Sequence, residues 1–475
     1  MDIADLAAKA ALKFTSSNGR KLQKKMSTPA IPKADPVYIK NDKNDGFSCG
    51  FAMAEVMPAD ITAKKYWMAG YKMGNLVTGV YDPTTVRAMW LDCKGNEGIL
   101  LVSCDIIGLT GHDVNEIRAS LSDFCRESGC KYIDISCTHT HAGIDTVGYW
   151  GKLPRTGLDK AYMAKLFASI KDVCIKAYND RKPGKLYMGY IHVPDAVKDG
   201  RAPYVVNDKL SRLRFVPDDG SNETWFMNYS AHPNTMGGAN SKISADYPYF
   251  MREKINESKK VNVLFAVGAI AAANIADLDD DRYVRTKKGG EMLGEAALKI
   301  DNDVELDSSI SFISQRYYAP IDNCILALMP ILKVCTADKF PYPGCNVGIA
   351  LRTEMTYMKI GSQKILIFPG ELFCELVYGG YASAEDSATG LGPEINPEPL
   401  ARICGDDSLM VFGVSNDMTG YVVAPNDSVL HPTQAYLSSV HDRFDRNHYH
   451  ETNSLGKDIC FTVERVFRDL VERLK

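Results

Sequence analysis

The chain has 475 residues, of which 45% are hydrophobic and 24% are charged, and its formal net charge is −4. These values are typical of a globular protein and exclude collagen-like, low-complexity and mostly disordered chains. A mildly acidic chain without a long Lys/Arg stripe gives no electrostatic reason to expect a nucleic acid or an anionic membrane as partner.

The cysteines and the N-terminus predict the compartment. The 13 cysteines are odd in number and form no CxxC pair, so neither a disulfide framework nor a zinc ribbon is indicated. The sequence begins without a secretory signal, and its longest apolar run, residues 261–276, is too short to span a bilayer. We therefore expect a cytoplasmic protein without stable membrane association.

Residues 1–44 differ in charge from the rest of the chain. They carry nine Lys/Arg against four Asp/Glu, so their net charge of +5 leaves −9 for the remaining residues. This segment is either a docking arm for an acidic partner or a helical turn or two followed by a solvated lead-in. We treat it as a basic lead-in and assign residues 45–475 to one domain.

Hydrophobic patterning then predicts alternating strands and helices. An apolar, β-rich run at 98–105 indicates a strand buried on both faces, residues 113–128 have helical spacing, and residues 131–138 alternate as a strand does. Later segments continue the pattern, with strands at 263–267, 364–368 and 409–414 and helices at 245–259 and 461–474. The predicted class is α/β: a single large domain of mixed β-sheets layered with helices.

Four loops carry residues suited to chemistry. His139 and His141, at positions i and i+2, follow a predicted strand and point to the same side, which favours a metal or catalytic role over a structural one. His232 precedes a proline at the end of another strand, and its alternative is a hydrogen-bonded structural histidine. Glu371 follows a Pro-Gly turn, where an acid also stabilises a helix N-terminus. The fourth loop is Asn416-Asp417-Met418-Thr419-Gly420-Tyr421.

These loops together resemble the catalytic domain of the neutral and alkaline, non-lysosomal ceramidases, which are zinc-dependent amidohydrolases. The resemblance spans some 400 residues in matching order. Its motifs are Tyr66-Trp67-Met68-Ala69-Gly70-Tyr71, Gly79-Val80-Tyr81-Asp82-Pro83, Arg87-Ala88, Val102-Ser103-Cys104-Asp105, Thr138-His139-Thr140-His141-Ala142-Gly143, Ser230-Ala231-His232-Pro233, Ile243-Ser244-Ala245-Asp246-Tyr247-Pro248, Pro369-Gly370-Glu371 and the Asn416 to Tyr421 loop.

The resemblance implies a site residue by residue. The zinc ligands would be His139, His232, Glu371 and Tyr421, a set of nitrogen and oxygen donors that suits Zn²⁺. His141 would stand beside the metal as a hydrogen-bonding or proton-transferring group. A family arginine that lines the substrate site matches Arg201, for which a solvated surface position is the alternative. Asp246, in another family motif, is either a partner that orients a histidine or a helix cap.

Two departures from the family bear on the substrate. The family carries an active-site serine in a Gly-Asp-Val-Ser-Pro-like turn, whereas this chain has Ala273-Asn274-Ile275-Ala276-Asp277. Without that hydroxyl, zinc-bound water is the predicted attacking group. The chain also ends soon after the Tyr421 loop and lacks the family's C-terminal immunoglobulin-like domain, so we expect a substrate other than ceramide.

The resulting hypothesis is a zinc-dependent hydrolase that cleaves an amide or a related carbonyl-centred bond in a small or moderately sized molecule. Three alternatives stay open at this point. The metal site could serve a lactone or cyclic-carbonyl hydrolase or a lyase acting on a polar metabolite. The chain could bind a small molecule without turning it over, or it could be a scaffold protein.

Overall fold

The structure, a computed structural model, describes residues 2–40, 45–95 and 97–474. Met1 and residues 41–44 of the basic lead-in therefore lie outside the described residues. Two β-sheets pack face to face, and helices cover the outer face of each sheet. The predicted α/β class with mixed sheets and helical layers is confirmed.

The larger sheet has nine strands, eight of them in one path. In spatial order these are Asn262–Val267, Thr224–Tyr229, Lys209–Pro217, Lys182–His192, Phe47–Glu55, Thr85–Asp92, Gly98–Cys104 and Cys130–Cys137, and Val304–Glu305 pairs with Lys182–His192. The first two and the last two strands of the path are parallel pairs, and the other pairs are antiparallel.

The smaller sheet has six strands. In spatial order they are Val37–Lys40, Ser309–Pro320, Ile349–Ile360, Gln363–Ile367 and Met410–Phe412, and Lys339–Pro341 pairs with Ile349–Ile360. Among the described residues, four short two-stranded pairs lie outside both sheets: Gly79–Val80 with Lys242–Ile243, Val197–Asp199 with Ala273–Ile275, Glu371–Leu372 with Tyr421–Val422, and Val440–His441 with Asn447–His448.

The α-helices of the described residues are Ile3–Lys25, Gly111–Ser120, Ser122–Ser128, Lys160–Asn179, Tyr247–Ser258, Arg282–Leu298, Cys324–Ile331, Cys374–Tyr378, Leu400–Ile403 and Ile459–Arg473. Helix Lys160–Asn179 packs on the larger sheet and helix Ile459–Arg473 on the smaller one. Among the residues described, no helix combines the length and apolar character needed to cross a bilayer.

Strand Thr85–Asp92 shows how the layers are built. Ala88 and Trp90 face the helices, whereas Met89 and Leu91 face the smaller sheet, and all four are fully buried. Successive side chains of a strand point to opposite faces, so a strand covered on both faces must be apolar throughout. This is why the next strand, Gly98–Cys104, reads in the sequence as the apolar run Ile99 to Val102.

The larger sheet is bent so that distant strands meet. The Ser103 hydroxyl, in Gly98–Cys104, donates to the Phe265 carbonyl oxygen in Asn262–Val267 at 2.6 Å. These two strands are far apart in the pairing order of the sheet. The bend brings the loops that follow Cys137 and Tyr229 to one place.

Two predicted segments differ in detail from the structure. The helix predicted at 113–128 is two helices, Gly111–Ser120 and Ser122–Ser128, because the chain turns at Leu121 (φ −101°, ψ 4°). The lead-in forms a 23-residue helix, Ile3–Lys25, instead of a turn or two, and then the strand Val37–Lys40, which pairs in the smaller sheet. The helix packs on Cys324–Ile331.

Candidate metal centre and substrate cavity

His139 is held in a strained conformation two residues after strand Cys130–Cys137. Its φ of +62° lies in the left-handed region, which non-glycine residues seldom adopt. The His139 backbone N–H donates to the Ile106 carbonyl oxygen at 3.0 Å, and its Nδ1 lies 2.6 Å from the Ile107 carbonyl oxygen. Because a carbonyl only accepts, Nδ1 donates this hydrogen bond, and Nε2 is the ring nitrogen left to face the site. Such fixed strain is typical of functional positions.

His232 and His141 complete a cluster of three imidazoles. The His232 backbone N–H donates to the Ala273 carbonyl oxygen at 2.8 Å, and its Nε2 lies 2.8 Å from His141 Nε2. One ring nitrogen from each of His139, His141 and His232 lies within 4.8 Å of the others. The structure thus brings together the three histidines that the sequence singled out.

Glu371 and Tyr421 enter the site as paired neighbours. They lie directly opposite each other in the short parallel ladder that joins Glu371–Leu372 to Tyr421–Val422. Glu371 Oε2 lies 3.5 Å from His139 Nε2 and 3.8 Å from His232 Nδ1. The two short strands follow Gln363–Ile367 and Met410–Phe412, so the smaller sheet supplies the oxygen donors and the larger sheet supplies the histidines.

The electrostatics of the cluster suit a cation. Burial lowers the pKa of His232 to about 4, with a contribution from the neighbouring His139, and burial lowers the pKa of His141 well below its usual range. Neutral imidazole is the form that binds metals. Burial alone would raise the pKa of Glu371, but His139, His232 and a hydrogen bond from Tyr421 hold it below its ordinary value. Glu371 is therefore a carboxylate in the same cluster as the neutral imidazoles of His141 and His232.

One oxygen of that carboxylate has no partner. Glu371 Oε2 is buried and accepts no hydrogen bond. An unsatisfied buried acceptor is costly, and a charged one more so. A divalent cation among Glu371 Oε2 and the imidazole nitrogens would satisfy it, and this donor set fits zinc. Burial, and then the charge of Glu371, raise the pKa of the Tyr421 phenol well above its usual range, so it is the weakest candidate ligand.

The cluster forms the polar end of a cavity of about 580 Å³. This volume lies within the range typical of small-molecule sites. Most of the wall away from the cluster is apolar or aromatic. Its members are Tyr71, Ile107, Tyr149, Trp150, Ile321, Leu326, Pro330, Ala337, Leu351, Met418, Tyr449 and Leu455. The arrangement can hold a molecule with a polar reacting group and an apolar extension.

The loop that ends at Tyr421 is fixed by close contacts. Asn416 Oδ1 accepts from the Ile135 backbone N–H at 2.9 Å, which ties the loop to the strand that precedes His139. Gly420 has a φ of +83°, and a Cβ at this position would collide with the Asn453 carbonyl oxygen. Only glycine fits this turn, and it sets the direction in which Tyr421 enters the cluster.

Arg201 does not line the cavity in the structure. It is 7% exposed and lies in a buried ionic network, where its Nε donates to Asp427 Oδ2 at 2.9 Å and its Nη2 donates to Glu451 Oε1 at 2.8 Å. Its Nη1 lies 3.2 Å from His450 Nδ1, and the His450 ring lies 5.0 Å from the Tyr421 ring. Arg201 is thus neither a solvated surface residue nor a wall residue, but stands behind the Tyr421 side of the cluster.

Asp246 caps a helix. Its Oδ1 accepts from the Tyr247 backbone N–H at 2.7 Å, and its Oδ2 accepts from the Met236 backbone N–H at 3.2 Å. Of the two alternatives for this residue, the cap is the one the contacts support.

Sequence reasoning missed most of the cavity wall. Tyr71 and Met418 lie within motifs that the sequence comparison used, but Trp150, Leu326 and Leu455 come from segments without a functional signal. An apolar residue that lines a cavity has the same pattern as one that lines a core. No local signal would have separated these three residues from the core.

Solved structures with the same architecture were found. A neutral ceramidase from Pseudomonas aeruginosa superposes with a TM-score of 0.67 and 14% sequence identity, covering 90% of this chain and 75% of the other. The chain shares the fold of neutral ceramidase. A second structure, a ceramidase complexed with C2, superposes with a TM-score of 0.66 and 14% identity, covering 90% of this chain and 76% of the other.

The resemblance expected from the motifs is thereby confirmed for the fold. No protein-family model matches the sequence, and no curated protein matches it.

Proposed function

We propose that this protein is a zinc-dependent hydrolase that cleaves the amide bond of an N-acyl compound with an apolar acyl chain. The observation that carries the proposal is the unpartnered, buried carboxylate oxygen of Glu371 among three imidazoles at the polar end of an apolar cavity. The ceramidase fold supports an amide as the scissile bond. The aromatic and aliphatic wall supports an acyl chain better than it supports a polar metabolite.

In this proposal His139, His232, Glu371 and Tyr421 hold the zinc. A zinc ion in such a site supplies a nucleophile at neutral pH by lowering the pKa of a bound water from about 15.7 to about 7, and it polarises a carbonyl oxygen. The Ile107 carbonyl fixes the His139 ring through Nδ1 and so keeps Nε2 turned toward Glu371 Oε2, 3.5 Å away, where the ion would bind.

His141 is the histidine of the cluster that is not assigned to the zinc. It lines the cavity, whereas His232 is not among the wall residues. Its Nε2 lies next to His232 Nε2, and its Nδ1 has no hydrogen-bond partner. We assign it the role of taking up the proton that the attacking water releases, of donating a hydrogen bond to the substrate oxygen as negative charge develops there, and of then passing that proton to the leaving nitrogen.

The residues that line the cavity favour water as the attacking group. Among the described residues that line the cavity there is no serine, and the Thr419 hydroxyl donates to the Pro369 carbonyl oxygen at 2.7 Å. The segment that corresponds to the family's serine turn contains Asn274 and no serine. Its backbone pairs with that of His232 in an isolated parallel β-bridge. A covalent acyl-enzyme on a serine is therefore not part of the proposed reaction.

A series of N-acyl amides of increasing chain length tests the substrate class. Leu326→Trp places a larger side chain in the apolar wall. We expect it to raise KM for long-chain substrates by about tenfold, since a few methylenes lose their burial, and to leave short-chain substrates within about twofold. Steady-state hydrolysis of paired short- and long-chain amides measures both effects.

Leu332→Trp is the matched control. Leu332 ends the same helix as Leu326 but is 44% exposed and lies outside the cavity wall. It should leave KM for both substrates unchanged. Equal turnover of all chain lengths by the wild type, or preferential turnover of lactones, would replace the acyl-amide proposal with one of the alternatives.

A further inference from the structure

We propose that the outward face of the N-terminal helix, Ile3–Lys25, docks on an anionic lipid surface. The binding is peripheral and reversible. It would revise the expectation, drawn from the overall charge, of no membrane partner. The docking itself does not depend on the proposed function, although its link to the cavity does.

Three exposed apolar side chains lie on one side of this helix, and a fourth, Leu12, lies on another side. Ile3 is 82% exposed, Leu6 is 52% exposed and Phe14 is 47% exposed. At 100° per residue they fall within an arc of about 80°, so they form one line along the first half of the helix. Scattered exposed apolar residues are normal, but a line on one helix face is typical of an interfacial helix.

The helix cannot rotate to bury these three apolar side chains. Its opposite side is buried through Ala8, Thr15 and Gly19, and a Cβ at Gly19 would collide with the Val347 carbonyl oxygen. Both ends are also tied to the domain. Asp5 Oδ1 accepts from the Thr433 hydroxyl at 2.8 Å and from Gln434 Nε2 at 2.9 Å, and Gln23 Nε2 donates to the Gly348 carbonyl oxygen at 2.9 Å. The exposed line is therefore a fixed feature of the surface.

The charge on the helix complements an anionic surface. The helix contains six Lys/Arg and one acidic residue, Asp5, although the whole chain has a net charge of −4. Lys13, Lys21 and Lys24 are exposed and lie on the same side as the apolar line. Asp5 faces away, into its contacts with Thr433 and Gln434. Apolar side chains flanked by lysines on one convex face match an anionic lipid surface.

The docking face is connected to the cavity by one helix. Ile3–Lys25 packs on Cys324–Ile331, and Leu326 and Pro330 of that second helix line the cavity. A lipid surface held by the first helix therefore lies one helix layer from the apolar wall. If the proposed function holds, this placement suits a substrate that is drawn from a lipid aggregate.

Co-sedimentation of the full-length protein with vesicles tests the docking. One set of vesicles contains phosphatidylcholine alone, and the other contains added phosphatidylglycerol. We expect the wild type to sediment only with phosphatidylglycerol vesicles and to be released by salt. The double variant Leu6→Ser/Phe14→Ser should lower vesicle partitioning by at least about tenfold, because it removes the apolar contact.

Leu391→Ser/Phe444→Ser is the matched control, since Leu391 is 50% exposed and Phe444 is 47% exposed, and neither belongs to the N-terminal helix. It should bind vesicles as the wild type does. Failure of the wild type to bind phosphatidylglycerol vesicles, or equal loss in both double variants, would overturn the docking and favour an acidic protein as the partner of the helix. Hydrolysis of a short-chain amide without vesicles separates the two proposals, because it tests the reaction and not the docking.

Discussion

Glu371→Gln should lower both zinc affinity and kcat/KM by more than about a hundredfold. The amide keeps the shape of the side chain but removes the charge that compensates the cation. Supporting residues that only orient a ligand are worth about 10- to 100-fold, so a ligand should be worth more. Metal content by mass spectrometry and hydrolysis of an N-acyl amide measure the two quantities in the same preparation.

Glu375→Gln is the matched control, because Glu375 is a buried glutamate four residues away that does not line the cavity. Burial raises the pKa of Glu375 to about 8, so the residue is largely uncharged at neutral pH and glutamine mimics it. This variant should retain zinc and activity. Loss in both variants would show that the segment is sensitive to any change and would remove the support for Glu371 as a ligand.

The variants His141→Ala and Tyr421→Phe, measured in the same assay, separate proton transfer by His141 from zinc binding by Tyr421. His141→Ala should keep zinc and lose turnover, since we assign it proton transfer. Tyr421→Phe should lower zinc affinity. If it retained both metal and turnover, the phenolic ligand would have been assigned wrongly.

Arg201→Met should lower the free energy of unfolding by about 3–5 kcal/mol. The arginine pairs with Asp427 and Glu451, whose side chains are 3% and 2% exposed. Removing one partner of a buried ion pair leaves charge without compensation, which costs about this much. Denaturant unfolding at neutral pH measures the loss. Arg126→Met is the control, because its pair with Asp123 is exposed and such pairs contribute about 0–1 kcal/mol.

The stabilisation that Arg201 provides should depend on pH. Burial alone would raise the pKa of Glu451, but hydrogen bonds and the charges of His448 and Arg201 lower it to about 2. A carboxyl whose pKa is depressed in the folded state stabilises the protein above its unfolded pKa of about 4.3, and the stabilisation is lost as pH falls toward 2. The gap in unfolding free energy between wild type and Arg201→Met should therefore shrink as the pH falls below about 5. A gap that widened on acidification would contradict the ion-pair interpretation.

Local patterning placed five strands of the two sheets close to their observed bounds, among them Gly98–Cys104 and Asn262–Val267, because strands buried on both faces are largely apolar. It gave no prediction for long strands with mixed polar residues, such as Lys182–His192 and Ser309–Pro320. It failed at Leu121, where one periodic run contains a turn between two short helices. It also underestimated the helix Ile3–Lys25, because the contacts that fix that helix come from residues more than 300 positions away.

For the site, local patterning singled out His139 and His141, because two histidines at i and i+2 follow the end of a strand. The roles of His232, Glu371 and Tyr421 as ligands came only from the resemblance to the ceramidase family. The structure brings these five side chains together. The position of Arg201 could not be derived in the same way, because its partners Asp427 and Glu451 follow it by more than 200 residues and carry no local motif.

The most direct test of the account is zinc reconstitution of the chelator-stripped protein during hydrolysis of a long-chain N-acyl amide. Activity should be absent without metal, rise in proportion to added zinc and saturate at one zinc per chain, whereas His139→Ala should show no rise over the same range. Full activity in the stripped protein, or equal recovery in His139→Ala, would contradict it.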